Sequence, residues 1–149
     1  MSPNQSYSSE IQIATSPAQV YTAITLHINA WWTTRANEAS QVGDQLTVRF
    51  EEGTSWQMEV TSAEPERLLA WHVTEAIHNL TSLSKSDEWE GTTIVWEISA
   101  ASEGSHVTFT HNGLVPSLEC YDICEQGWDY FLGSLKQFLE TGTGSPFKP

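Results

Sequence analysis

The side chains best suited to chemistry in this chain are five histidines and two cysteines. Their spacing gives no metal-binding motif, because neither H-x-x-x-H nor C-x-x-C occurs. His106 and His111 are five residues apart on one predicted strand, so their side chains should point to opposite faces. The sequence also lacks a nucleophile elbow, a phosphate-binding loop and a dinucleotide fingerprint. We therefore expect neither a bound metal nor a cofactor.

His111 is the histidine whose position best fits a functional role. It continues the inward-facing series of Val107 and Phe109 and stands at the end of its predicted strand, where a cavity would open. There it would be a polar contact for a ligand, or a general acid or base with a pKa of about 6.5. The alternative is a half-buried histidine whose ring bonds to a backbone carbonyl.

The two cysteines, Cys120 and Cys124, lie four residues apart in one predicted helix. A regular helix orients such a pair poorly for a disulfide, so we expect two free thiols in a reducing cytoplasm. The nearby carboxylates of Glu119, Asp122 and Glu125 disfavour a reactive thiolate. Cys124 falls on the apolar stripe of the helix, which predicts a small buried thiol at the wall of a cavity.

Seven tryptophans are spread along the whole chain. Each could simply fill the core, but large stiff rings also make the walls of concave apolar pockets. The residues that fall on inward faces are the predicted walls of a ligand pocket, with His111 as its polar contact: Trp32, Trp56, Met58, Trp71, Trp96, Phe109, Tyr121 and Cys124. The acidic stretch Asp87–Glu90 is interpreted as solvated loop charge.

Composition excludes several classes of partner. Nineteen acidic residues against six basic ones give a formal net charge of -13, which repels phosphate backbones and anionic lipid head groups. We expect no nucleic-acid partner. Apolar runs are too short to span a bilayer, and the polar segment Met1–Ser9 is unlike a signal peptide. We therefore expect no membrane partner and a cytoplasmic location.

Hydrophobic periodicity predicts an α+β domain. Its elements are a strand Tyr7–Ile13, a short helix capped by Ser16, a helical turn Asn29–Thr34, a meander of about five strands from Gly43 to His111 with a loop at Ile77–Gly91, and a long helix Ser117–Glu140 closed by Gly142. The apolar face of the curved antiparallel sheet, about six strands in all, must pack on the apolar stripe of the long helix. A twisted sheet cannot touch a straight helix along its full length, which leaves space for a cavity.

The order and spacing of several short phrases resemble the START-like (SRPBCC) superfamily with its helix-grip fold. Within it, the chain resembles the activator of heat-shock protein 90 ATPase homologue-like family. The matching phrases are Ser16-Pro17 with Val20-Tyr21, Trp31-Trp32, Val42-Gly43-Asp44, the strand break at Pro65, Trp89-Glu90-Gly91-Thr92, Thr108 to Leu114, and Gly127-Trp128 followed by Leu132, Leu135 and Lys136. The resemblance covers about residues 7–142, so we expect one domain over 1–149 with a flexible tail at 143–149.

The resemblance implies a deep pocket between the sheet and the C-terminal helix. We expect non-catalytic binding of a hydrophobic or aromatic small molecule such as a lipid or polyketide, by a monomer or homodimer. One alternative is a cyclase- or hydratase-type enzyme that uses His111 and Tyr121, with Glu125 as a further acid or base. The second is a stress protein with heat-shock protein 90 as its chaperone partner. Activators of heat-shock protein 90 have a further domain before this one, whereas the first strand here is expected to begin near Tyr7. We therefore do not expect the chaperone role.

Overall fold

The computed structural model describes residues 5–50 and 53–148 and confirms the predicted α+β fold, a curled antiparallel sheet with a long C-terminal helix. The elements in chain order are β1 (Tyr7–Ile13), α1 (Pro17–Leu26), a 3₁₀ turn (Ile28–Ala30), β2 (Arg35–Ala36), β3 (Gln45–Arg49), β4 (Ser55–Glu64), β5 (Leu68–Ile77), β6 (Thr93–Ala101), β7 (Gly104–Asn112) and α2 (Tyr121–Thr141). None of the helices in these two ranges is both long and apolar enough to cross a membrane.

Within the described residues, the sheet has seven strands in the order β1-β7-β6-β5-β4-β3-β2. Strands β2 to β7 form a meander, and β1 pairs with β7 from Tyr7 opposite His111 to Ile13 opposite Ser105. Side chains alternate between a buried and a wetter face, as the period of two predicts. The pairing of β4 with β5 shifts register twice, and such irregularities bend and twist a sheet. The two-residue strand β2 was not foreseen, because so short a segment has no period.

The start of α1 forms as its sequence predicts. Ser16 is the N-cap, and its hydroxyl accepts a hydrogen bond from the backbone N–H of Gln19 at 3.3 Å, with Pro17 at the first helical position. The second helical turn begins earlier than predicted, at Ile28 rather than Asn29, and ends at Ala30. The following tryptophan pair is therefore held by a turn and by side-chain contacts rather than by a helix.

The long helix α2 begins at Tyr121, so the predicted start at Ser117 is wrong. The segment just before the helix is held from elsewhere in the sequence: the carboxylate of Glu88 accepts the backbone N–H of Glu119, at 3.1 Å, and that of the N-cap residue Cys120, at 2.9 Å. The predicted end is confirmed, because Gly142 has a left-handed φ of 89° and its N–H bonds to the carbonyl of Phe138.

The apolar stripe of α2 packs against the concave face of the sheet. Trp128, Leu132 and Leu135 are buried, as predicted from their spacing. Beyond the helix, Phe147 forms an isolated bridge with Thr33, and its backbone bonds to Trp32 and Thr34. Flexibility of residues 143–149 stays a prediction, but the tail carries this anchored contact, and Pro149 lies outside the described residues.

Candidate functional site

A cavity of about 310 Å³ lies between the sheet and the first turns of α2. Pockets that hold small molecules have volumes of roughly 300–1,000 Å³, so this one is at the small end of that range. Its lining residues come from the turn after the 3₁₀ helix, the β3–β4 hairpin, the loop after β5, helix α2 and the tail: Trp32, Phe50, Thr54, Trp56, His78, Leu80, Trp89, Ile123, Cys124, Gly127, Trp128, Phe131 and Phe147. Among these described residues there is no Asp, Glu, Lys or Arg.

Four tryptophans form a continuous aromatic wall around this space. The rings of Trp56 and Trp89 stack with centroids 4.5 Å apart, and Trp89 stacks on Trp128 at 5.7 Å. Trp128 in turn meets Trp32 at 5.0 Å in a tilted arrangement. Neighbouring rings fix one another's orientation, so the wall is stiff before any ligand arrives.

The local sequence explains how these rings come together. Trp56 lies on the buried face of β4, and Cys124 and Trp128 lie one turn apart on the buried stripe of α2. Between them on the helix, Gly127 has no side chain, and a Cβ placed there would meet nothing within 4 Å. The missing side chain at Gly127 leaves open space where the helix borders the cavity. Phe147, from the tail, lies 5.4 Å from the ring of Phe50.

Two polar atoms in the lining are buried without a hydrogen-bond partner in the described part of the chain: the indole Nε1 of Trp56 and the ring Nδ1 of His78. Buried polar groups are nearly always paired, and an unpaired one costs about 1–3 kcal/mol. The indole N–H of Trp56 therefore has no acceptor among the described residues; Trp71 and Trp96 share this property, but of the three only Trp56 lines the cavity. His78 also packs against Trp56, with ring centroids 5.2 Å apart.

The position of His111 corrects the sequence-based expectation. The residue is fully buried rather than at a wet pocket mouth, and it is not among the cavity-lining residues. Its Nδ1 accepts the indole N–H of Trp128 at 3.0 Å, so its Nε2 carries the proton and donates to Thr92 Oγ1 at 2.9 Å. The hydroxyl of Thr92 donates its own hydrogen bond to the carbonyl of Trp89 at 2.5 Å.

This chain of bonds makes His111 a neutral structural group. Burial lowers its pKa from 6.5 to about 3, so the ring stays uncharged at neutral pH. The expected general acid or base with an ordinary pKa is wrong, and so is the alternative of a half-buried ring on a backbone carbonyl. Its hydrogen bonds hold Trp128 and, through Thr92, the backbone of Trp89, which are both cavity walls.

The other predicted site residues divide into three groups. Trp32, Trp56 and Cys124 line the cavity. The residues that are fully buried in the core and do not line it are Met58, Trp71, Trp96 and Phe109. Tyr121 is half-buried on the first turn of α2, outside the lining, and its hydroxyl donates to Glu125 Oε2 at 3.3 Å. A role in ligand binding stays a prediction for all of them.

Several lining residues were missed by the sequence reasoning. Trp89 sits in the acidic stretch interpreted as solvated charge, yet its ring is 5% exposed. A tryptophan inside a charged loop is the signal that could have revealed it, because so large an apolar ring is seldom left in water. Phe131 follows Trp128 by three residues on the same face of α2, and Phe147 had no periodic pattern to mark it.

His78, Cys120 and Cys124 form a second group of chemically capable side chains beside the cavity. Their ligand-type atoms lie within 4.8 Å of one another, although the sequence separates the histidine from the cysteines by more than forty residues. The hydrogen bond to Cys124, together with burial, raises the pKa of Cys120. The pKa of Cys124 is lowered by its hydrogen bonds with Cys120 and with the indole of Trp89, against the effect of burial. A histidine and two thiols are ligands that could hold a metal ion.

The comparison with known families agrees with this geometry. The profile described as "Activator of Hsp90 ATPase homolog 1-like protein" matches residues 14–140. This chain belongs to that family. The match includes α1, all of α2 except its last residue, and every residue of the cavity lining except Phe147. Among curated proteins, no sequence matches this chain significantly.

Solved structures with the same fold span almost the whole chain. An Aha1 dimer from Colwellia psychrerythraea is 27% identical, with a TM-score of 0.78 over 94% of this chain and 99% of that one. A protein of Mesorhizobium loti is 21% identical, with a TM-score of 0.73 over 91% of this chain and 96% of that one. A protein of Staphylococcus saprophyticus is 20% identical, with a TM-score of 0.69 over 97% and 98% of the two chains. The last two likenesses show the fold alone.

Proposed function

We propose that this protein binds a small, uncharged, hydrophobic or aromatic molecule in the cavity between the sheet and α2, without catalysing a reaction. The observation that supports this most directly is the wall of stacked tryptophans around about 310 Å³ of space. Such rings offer a large apolar area with defined orientation, which favours flat ligands. A reducing, cytoplasmic setting belongs to the proposal, since Cys120 and Cys124 are both free thiols.

The chemistry of the lining narrows the ligand class. A charged ligand would lose its hydration without gaining an ion pair, because the described lining has no acidic or basic side chain apart from His78. The net charge of -13 also disfavours anions near the entrance. The indole N–H of Trp56 is available to one acceptor atom. We infer a molecule of one or two fused rings with a hydroxyl or carbonyl group, rather than a long lipid chain.

The geometry gives an enzymatic role less support. The cyclase or hydratase alternative needs an acid or base in contact with the substrate, and His111 and Tyr121 were its candidates. His111 is buried, neutral and committed to two hydrogen bonds, and Tyr121 does not line the cavity. The carboxylate of Glu125 accepts from Tyr121 and is likewise absent from the described lining.

A second candidate function, action on heat-shock protein 90, is favoured by the family's name and by the likeness to the Colwellia Aha1 dimer. Measuring the ATPase rate of the purified chaperone with and without this protein separates the two proposals. Ligand binding alone predicts an unchanged rate, and stimulation would favour the chaperone role. Because the Colwellia protein is described as a dimer, the oligomeric state of this protein should be determined alongside the assay, from its mass in solution.

The cavity proposal is tested by filling the cavity from the helix. Gly127→Leu places a side chain into space where a Cβ meets nothing within 4 Å, and it replaces a poor helix former by a good one. We expect the variant to fold at least as stably as the wild type and to lose binding of N-phenyl-1-naphthylamine, an uncharged probe that fluoresces in apolar surroundings. The assay is a fluorescence titration of the probe at constant protein concentration.

Gly133→Leu is the matched control. Gly133 lies on the same helix with equally open space around its Cβ, but it is exposed and does not line the cavity. It should gain the same helix stability and bind the probe as the wild type does. Equal probe binding by all three proteins would contradict the proposed site, because the dye would then bind elsewhere.

A further inference from the structure

The cluster of His78, Cys120 and Cys124 combines two parts of the fold. Cys120 is the N-cap of α2 and Cys124 lies one turn later, so both thiols fall on the same side of the helix start. His78 follows β5 directly, and its backbone N–H is fixed to the carbonyl of Ser86 at 2.8 Å. Both cysteines are free and buried, and the three ligand-type atoms lie within 4.8 Å of one another.

These distances are close to those of a metal site. With Zn–S bonds of about 2.3 Å and Zn–N bonds of about 2.0 Å, ligand atoms in a tetrahedral site are separated by about 3.5–3.8 Å. The separations here exceed that by about 1 Å at most, which side-chain rotation can supply. The backbone positions of α2 and of the loop after β5 therefore need little change. Thiolate and imidazole together are a ligand set suited to zinc.

The surroundings of the cluster also suit a bound cation. The indole N–H of Trp89 donates to Cys124 Sγ at 3.2 Å, the kind of outer hydrogen bond that orients a thiolate ligand. The carboxylate of Glu88, bonded to the N–H of Cys120, adds a negative charge at the same end of α2. His78 Nδ1 is buried without a hydrogen-bond partner in the part of the chain that the structure describes, and the ring interacts with the Cys120 thiol of the same cluster, whose pKa it lowers. In His111, by contrast, both ring nitrogens are engaged.

We propose that His78, Cys120 and Cys124 bind one thiophilic divalent cation of the zinc type. Three protein ligands leave a fourth coordination position, as in zinc sites that exchange a water or a ligand. Two of the three residues, His78 and Cys124, also line the aromatic cavity, so the ion adjoins it. The metal site stands on its own geometry and does not depend on what the cavity holds.

The test is a metal titration of the full chain, stripped with chelator and kept reduced with a phosphine. Co²⁺ is the spectroscopic probe, because thiolate-to-cobalt charge transfer absorbs in the near ultraviolet and tetrahedral Co²⁺ absorbs strongly in the visible. We expect one Co²⁺ per chain with both signatures, displaced by one equivalent of Zn²⁺. His78→Asn should weaken binding at least about 100-fold, since even outer-shell changes cost 10–100-fold. Cys120→Ser and Cys124→Ser should abolish the charge-transfer band.

The control variant is His27→Asn, since His27 is exposed and outside the cluster; it should bind Co²⁺ as the wild type does. The wild type and His78→Asn keep the test decisive even if burying a serine unfolds the cysteine variants, because His78 is only half-buried. Absence of the charge-transfer band in the wild type would overturn the proposal. Unchanged affinity in His78→Asn would overturn it too, because the site would then be a dithiol without the histidine.

Discussion

The buried histidine predicts how the stability of the protein depends on pH. Burial lowers the pKa of His111 from 6.5 to about 3. Between these two pH values the unfolded chain binds a proton at this ring and the folded chain does not. The free energy of unfolding therefore falls as the pH falls through that window, and the contribution of this ring is fully present above about pH 6.5.

The magnitude follows from the size of the pKa shift. One pKa unit corresponds to about 1.4 kcal/mol, and the slope for one proton cannot exceed about 1.4 kcal/mol per pH unit. Between about pH 7.5 and about pH 5, His111 alone should remove about 2 kcal/mol from the free energy of unfolding. That is a large part of the total for a domain whose stability is about 5–15 kcal/mol. The loss should grow further toward about pH 3, where carboxylates begin to contribute as well.

The assay compares wild type with His111→Gln by urea unfolding at several pH values across this window. A glutamine amide offers one acceptor and one donor, as the neutral imidazole does toward Trp128 and Thr92. The two proteins will differ in stability at neutral pH, so the quantity to compare is the slope of the free energy of unfolding against pH. Every other ionisable group is common to the two proteins, so the difference between the two slopes isolates His111.

We expect the free energy of unfolding of the wild type, minus that of His111→Gln, to fall by about 2 kcal/mol between about pH 7.5 and about pH 5. Parallel curves would refute the reasoning, because the ring would then titrate alike in the folded and unfolded chains. A proton NMR titration gives an independent check. The His111 ring signals of the folded protein should not move near pH 6.5, and a transition there would contradict complete burial of the neutral ring.

Four further substitutions test the packing of the cavity, the sheet and the tail. Trp128→Phe should lower the free energy of unfolding, measured in urea, by about 1–3 kcal/mol, because it leaves His111 Nδ1 without its hydrogen-bond donor. Trp56→Phe should lower it less, because the indole N–H of Trp56 has no partner to lose. Equal losses in the two variants would contradict the hydrogen-bond assignment. Gly104→Ala should destabilise the β6–β7 hairpin by several kcal/mol, since its φ is 142° and a Cβ would lie 2.2 Å from a backbone oxygen, and an unchanged melting temperature would refute this. Phe147→Ala should leave the circular dichroism spectrum unchanged but weaken binding of N-phenyl-1-naphthylamine, and unaltered affinity would show that the tail is no part of the site.

Local patterns were enough to predict most of the fold. The alternation of apolar residues gives the long strands, and Ser16-Pro17 and Gly142 mark helix ends through bonds to residues nearby in sequence. The start of α2 could not be predicted in this way. The N–H groups of Glu119 and Cys120, just before its first turn, bond to Glu88, a residue about thirty positions earlier, and no local signal reports such a partner.

The candidate site was less predictable than the fold for a related reason. The period of the apolar residues indicates which face of a strand is buried. It does not indicate whether a buried ring contacts other rings or borders an open space. The sequence pattern around Trp71 and Trp96 is therefore the same as that around Trp56. Only the curvature of the sheet decides that the first two lie in the core and the third lines the cavity. His78 reaches the two cysteines only because the loop after β5 folds back over the start of α2.

The most direct test of the cavity as a ligand site is a ¹H–¹⁵N spectrum of the seven tryptophan indole groups during addition of 2-naphthol. We expect the signals of Trp32, Trp56, Trp89 and Trp128 to shift, with the largest change at Trp56, whose unpaired N–H can bond to the hydroxyl oxygen of the probe. The signal of Trp31 should stay, since its N–H is bonded to the carbonyl of Ala23 in the core. No shift at the four cavity tryptophans, or equal shifts at all seven, would contradict a specific aromatic ligand site.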